Sequence, residues 1–294
     1  MVDNSRINFR KWPWFASGEM IAHWMYDFIL VSVVLFLSCG VVVASCYDPI
    51  NYGKPFKSDI DRALYIFVDQ TTPLTEKMRD QVSRLVTHWG RPGDLAKIVR
   101  FSANFRDLQP ELIFSEVVEK TPGDAYLFQL RWRDKRVLRE CLTVQQESFE
   151  QAFRKGLAEA LSGINSEIPK TDLLNSLKQL SKLVVLADEA KMQNILLISD
   201  GMENSSLMSF YKKGKINTIN ARKLIAKVRR QGLIANWKSA NIYMVGLGLA
   251  ADPKDYITMS TTKSLYQFWE RYFVEGNGRI KAIGSPGLLI TTIE

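Results

Sequence analysis

Residues 63–73 read ALYIFVDQTTP. Six consecutive apolar side chains, Ala63 to Val68, followed at once by polar turn residues, fit a strand buried on both faces. Such strands lie in the middle of parallel sheets covered by helices, so α/β is the expected class. The polar group Asp69-Gln70-Thr71-Thr72-Pro73 then falls at the carboxyl end of that strand, where open α/β sheets gather their ligands.

Outward from this strand, apolar runs and amphipathic stretches alternate. Leu74 to Trp89 puts Met78, Val82, Leu85 and Val86 on one side of a helix. Ala96 to Phe101 is a second strand and Glu111 to Val118 a third at the sheet edge. Residues 121–164 read as an insertion, mostly helical after Asp134, and Leu173 to Leu186 as a further helix. NILLIS (194–199) and NIYMV (241–245) are strands, with a basic helix between them near Thr218 to Gln231. A short helix over Ser264 to Phe273 and a last strand over Arg279 to Ile283 complete the pattern. The expected domain, residues 62–294, is a doubly wound, mostly parallel sheet flanked by helices.

The amino-terminal part has a different character. Phe28 to Tyr47, FILVSVVLFLSCGVVVASCY, is twenty residues without a charge, twelve of them Leu, Ile, Val or Phe. At ~1.5 Å per residue it makes a helix of ~30 Å, the thickness of a bilayer's hydrocarbon core. Residues 28–47 are therefore expected to be a single transmembrane helix. Residues 1–27 form a short tail before it, and Trp12, Trp14, Trp24 and Tyr26 are suited to the interface. Residues 48–61, with Pro49, Gly53 and Pro55, read as a linker. Large following domains cross largely regardless of charge, and a short basic tail stays inside, which places the main domain on the non-cytoplasmic side. Val43-Ala44-Ser45-Cys46 also resembles a bacterial lipobox, in which Cys46 would be lipidated; the length of the preceding stretch opposes that reading.

Three polar groups are expected where strands end: Asp69 with Thr71, the loop Lys170-Thr171-Asp172 opening a helix, and Asp200-Gly201 closing NILLISDG. Carboxylates and hydroxyls are hard oxygen ligands, suited to Mg²⁺, or to Mn²⁺ or Ca²⁺. In these residues the chain resembles the von Willebrand factor A (VWA) domain family, roughly from Ala63 to Ile283. That family's metal-ion-dependent adhesion site combines D-x-S-x-S after strand one, a threonine in a loop before a helix, and an aspartate in a strand ending in D-G. The resemblance implies a VWA-like fold and a divalent-metal site at Asp69, Thr71, Thr171 and Asp200. It also implies a partner protein that supplies an acidic residue to the ion. Met244-Val245-Gly246-Leu247-Gly248 is similar to the late, glycine-ended strand of the family. Pro73 departs from the pattern: it stands at the third place of the first motif and offers neither hydroxyl nor N–H. A degenerate site, with Asp69 and Asp200 only capping loops, is the alternative.

Charge and composition narrow the function further. Lys and Arg number 39 against 31 Asp and Glu, and no acid occurs from Asn204 to Ala251. That stretch holds Arg222, Lys223, Lys227, Arg229 and Arg230, either a solvated helix face or a patch for an anionic lipid or acidic protein. Aromatic residues nearby are too scattered for base stacking, so no nucleic acid is expected. Two histidines and three cysteines (Cys39, Cys46, Cys141) exclude a His-rich zinc site, and no disulfide framework is expected. Gly246-Leu247-Gly248 is no dinucleotide fingerprint, and Ser205 and Ser206 lack a nearby His base.

The expected function is thus a membrane-anchored binding module rather than an enzyme, with oligomerisation open. Two alternatives remain: a metal-independent structural subunit of a secretion, transfer or defence machine, and a tethered Mg²⁺-dependent hydrolase using Asp69. The hydrolase has no visible general base or phosphate loop.

Overall fold

A computed structural model describes residues 45–48, 59–102, 110–162, 172–212, 215–249, 257–285 and 287–293. Contacts divide the chain between Ala44 and Ser45, and every described residue belongs to the second unit. That unit is mixed α/β, with a mostly parallel six-stranded sheet.

Its first strand, β1 (Ile60–Asp69), contains the opening run, and Ala63 to Val68 are each 0% exposed. Parallel neighbours lie on both sides: β2 (Asp94–Phe101) and β4 (Ala190–Ile198). The short strand β3 (Glu111–Val117) runs antiparallel at one edge. Beyond β4 come β7 (Asn241–Val245) and β8 (Arg279–Ile283), both parallel. The order is β3-β2-β1-β4-β7-β8, so the chain winds away from β1 in one direction and then in the other. The reversal falls between β1 and β4. A separate hairpin, β5 (Tyr211–Lys212) with β6 (Lys215–Ile216), was not anticipated by the strand pattern.

Alternation along β1 assigns the two helical layers. Ala63, Tyr65 and Phe67 face α4 (Leu173–Leu180), α5 (Ala221–Arg230) and α6 (Met259–Glu275) through Leu177, Ile225, Val228, Leu265 and Phe268. Leu64, Ile66 and Val68 face α1 (Glu76–Leu85) and α3 (Trp132–Ser162) through Val82, Leu85, Phe149, Phe153 and Leu157. Each large apolar side chain closed off in this way contributes about 1.5–3 kcal/mol. The segment read as a helical insertion is thus part of a layer: the carboxyl half of α3 covers the sheet. Its amino half, after the short helix α2 (Asp124–Gln129), joins a third cluster instead.

Helix ends follow local chemistry. Pro73 delays α1 until Thr75, whose side chain accepts from Met78 N–H. Thr258 caps α6 in the same manner, so that helix begins five residues before the expected start at Ser264. The helix expected to continue to Leu186 loosens after Leu180 into one π turn, Ser181–Val185.

The amino-terminal boundary is corrected. Ser45 to Asp48 form a turn, closed by Asp48 N–H to the Ser45 carbonyl at 3.1 Å, so a spanning helix ends no later than Ala44. Residues 28–44, which carry the rest of that expectation, lie outside the described residues. Among the described residues no helix is long and apolar enough to cross a membrane.

Cys46 is disulfide-bonded to Cys141 of α3, 95 positions away. This overturns the expectation of no disulfide, and the bonded sulfur is not free for a lipid thioether. Pairing was hidden because Cys46 read as the end of an apolar run, while the contacts that bring it to α3 are long-range. Glu119 accepts from Ser45 Oγ at 2.5 Å and Cys46 N–H at 2.8 Å, and from Gln145 at 3.1 Å. Cys46 and Tyr47 pack, 1% exposed, on Leu130 and Leu138.

Candidate metal centre

Asp69 is the last residue of β1, and Asp200 follows β4 by two. Because Val68 registers with Ile198, the two aspartates come to the same end of adjacent strands, at the reversal of winding. Crevices for ligands open at that place in doubly wound sheets.

Asp69 is fully buried, and hydroxyls surround it. Thr71 donates to Oδ1 twice, from its backbone N–H at 2.9 Å and from Oγ1 at 2.6 Å. Ser199 Oγ donates to Oδ2 at 2.8 Å and accepts from Gly201 N–H at 3.1 Å. Thr72 Oγ1, also buried, accepts from Asp200 N–H at 3.0 Å. Asp200 Oδ1 accepts from Met202 N–H at 2.9 Å. Neither carboxylate has an ion-pair partner among the described residues.

Electrostatics follow from that burial. Desolvation raises the Asp69 carboxyl above the ordinary range, and the hydrogen bonds from Thr71, Ser199 and Thr72 pull it partly back. Asp200 is held well above its ordinary value by burial first and by the neighbouring Asp69 charge second. Two neighbouring buried carboxyls, both raised by burial and Asp200 further by the charge of Asp69, with hydroxyl oxygens beside them, fit a hard cation.

The walls are set by glycine. Gly201 has φ +71°, and a Cβ there would stand 2.6 Å from Trp269 Nε1 and 2.7 Å from Leu247 Cδ1. Trp269 Nε1 in turn donates to the Gly201 carbonyl at 3.0 Å. Gly246, φ +102°, would bring a Cβ to 3.0 Å from the Ser199 carbonyl oxygen.

Of the residues expected from sequence, Asp69, Thr71 and Asp200 come together. Thr171 lies outside the described residues, although the next residue, Asp172, is the N-cap of α4 and accepts from Asn175. Sequence reading missed Thr72, Ser199 and Glu203. Thr72 occupies an unassigned place in D-x-S-x-S, yet its hydroxyl is present next to the Pro73 that lacks one. Ser199 was read only as the last residue of a strand. Glu203 is fully buried and accepts from Leu174 N–H at 3.0 Å, tying the loop after β4 to the first turn of α4. Burial pushes its carboxyl up to about 7, against the pull of the α4 N–H groups.

The basic residues divide. Arg229 forms a forked pair with Glu275, at 2.6 and 3.0 Å, and Lys227 donates to the Leu207 carbonyl. Arg222, Lys223 and Arg230 are exposed on α5 without an acidic partner among the described residues. A groove of about 390 Å³, lined by Thr87, Trp89, Phe153 and Leu157, lies between α1 and α3 rather than at the carboxylate pair.

No family model matches the chain, and no curated protein matches it. Among solved structures it is similar to an aerotolerance-related membrane protein from Bacteroides fragilis. The identity is 11% and the TM-score 0.36, over 76% of this chain and 92% of that one.

Proposed function

We propose that this chain is a membrane-anchored VWA-like binding module that recognises an acidic residue of a partner protein through a divalent cation. Asp69, Thr71, Thr171 and Asp200 would hold the ion, with Ser199 and Thr72 positioning them. One observation carries the reading: two buried carboxyls, without an ion-pair partner among the described residues, converge with hydroxyls where the sheet reverses its winding. Asp69 has both oxygens occupied by donors, so the Thr71 hydroxyl it orients is the group with lone pairs to offer. The strand order, with its antiparallel edge strand, is compatible with a VWA-like fold.

Residues 28–44 would anchor the module. The Cys46–Cys141 disulfide supports a domain on the non-cytoplasmic side, because disulfides persist in oxidising compartments. The exposed cations of α5, Arg222, Lys223 and Arg230, would add attraction for an acidic partner.

Thermal unfolding of the full chain in detergent, with Mg²⁺, Mn²⁺ or Ca²⁺ against chelator, tests this. An ion that binds only the folded state adds RT ln(1 + [L]/Kd), about 2.7 kcal/mol at a hundredfold excess over Kd. The gain should vanish in Asp200→Ala. Pro73 favours a second reading, a structural subunit of a membrane machine that assembles without metal. Identical curves with and without ion would put that reading first.

A further inference from the structure

All parallel strands start at the end of the sheet away from Asp69 and Asp200, roughly 30 Å off along the ten residues of β1. Two sets of groups at this end take no part in the metal centre.

The first set surrounds the place where the chain arrives from residues 1–44. Glu119, just after β3, holds Ser45 and Cys46, and Tyr47 OH donates to the Lys120 carbonyl. The α2–α3 corner packs against this turn through Leu130 and Leu138, with Tyr126 and Leu127 alongside. Its outer side leaves Phe128 88% and Trp132 75% exposed, with the Arg136 guanidinium 5.2 Å from the Trp132 ring centre. Between residues 131 and 139 the sequence has five cations and one acid.

The second set is a groove of about 320 Å³ at the starts of β4, β7 and β8, lined by Lys191, Lys238, Arg279 and Lys281. Asp61 holds Lys191 at 2.8 Å, and Lys97 neutralises the nearby Asp188 at 2.7 Å. Arg279 and Lys281 are exposed without an acidic partner among the described residues.

We propose that this strand-start end is a docking face for an anionic lipid bilayer. Phe128 and Trp132 sit at headgroup level, and Arg279 and Lys281 take headgroup phosphates. The inference rests on the reading of residues 28–44 as a membrane span, which delivers the chain to this end of the domain. A second copy of the chain would meet the face with like charge. The aromatics are isolated among cations rather than joined in the broad apolar patch that a protein partner needs. Docking would hold the metal centre facing away from the membrane.

The full chain is reconstituted into nanodiscs of phosphatidylcholine alone or mixed with phosphatidylglycerol, and hydrogen exchange is followed by mass spectrometry. Peptides covering residues 124–139 and 279–283 should exchange about fivefold more slowly in the anionic discs, the effect of one cation at an anionic surface. Phe128→Ser with Trp132→Ser should abolish protection at the corner. Arg279→Glu with Lys281→Glu should abolish it at the groove, and α1 peptides should not change in either variant. Equal exchange in both lipids overturns the docking face. Extraction of the chain from vesicles by alkaline carbonate overturns the membrane span instead, so the two failures are told apart.

Discussion

Asp69 and Asp200 lie at the same ends of neighbouring parallel strands, both buried and with no cation side chain paired to either among the described residues. Burying two like charges side by side is unfavourable unless a proton or a cation neutralises them. The hydroxyls of Thr71 and Ser199 favour the charged form of Asp69, while burial and that charge favour the neutral form of Asp200. A divalent cation would take that proton's place.

Stability should therefore depend on pH without ion and lose that dependence with it. Both carboxyls are raised in the folded state, so the folded chain binds more protons than the unfolded one above the ordinary carboxyl range. Unfolding free energy in chelator should fall as pH rises through that range, and saturating Mg²⁺ should remove the fall. Asp200→Asn should stabilise the chelated protein at neutral pH by about 1–3 kcal/mol and cancel its response to Mg²⁺. Melting curves from pH 4 to 8, with and without ion, check both statements.

Glu203 predicts a separate slope that metal does not remove. Its folded value of about 7 lies above the ordinary 4.5, so stability is fully present below about 4.5 and is lost as pH rises through 7. The loss is on the order of 3 kcal/mol. Glu203→Gln keeps an acceptor for Leu174 N–H and should flatten this part of the profile in chelator and in Mg²⁺ alike. An unchanged slope in the variant would place the titration elsewhere.

The contrast between these two sites shows what the sequence makes legible. The Ala63–Val68 run revealed a central strand because burial on both faces leaves no alternation to misread, and Asp69 and Asp200 were found because each ends such a run. Thr72, Ser199 and Glu203 act through register and loop geometry: Thr72 reaches Asp200 and Ser199 reaches Asp69 across 128 and 130 positions. No local pattern encodes such a contact. For the same reason α3 read as an insertion, since its apolar positions show their purpose only when the helix meets β2 and β3, with Phe149 and Phe153 against Phe114.

Gly201→Ala should disable the centre without touching a ligand. The backbone is left-handed there, and the added methyl would stand within 3 Å of Trp269 and Leu247. Strain of this kind costs about 1–3 kcal/mol, and relieving it moves the segment that carries Asp200. The variant should melt lower than the parent in chelator and lose most of its gain in Mg²⁺. A parent-sized ion response with a lower melting point would separate the glycine's structural role from the site.

Reduction should act far from the candidate metal centre. The Cys46–Cys141 bond closes a loop across 95 positions, and joining such distant residues restricts the unfolded chain by about 4–5 kcal/mol in the loop-entropy account. Cys46→Ser, Cys141→Ser and the double variant should all lose the same amount, because each breaks the same bond. Exchange at Ser45 to Asp48 and at the α2–α3 corner should rise in all three, while the Mg²⁺ response stays that of the parent. Unequal losses between the single variants would mean that one sulfur packs on Leu130 and Leu138 independently of the bond. Thiol alkylation after denaturation measures the bond directly: the unreduced parent should take label only at Cys39, and the reduced chain at all three cysteines.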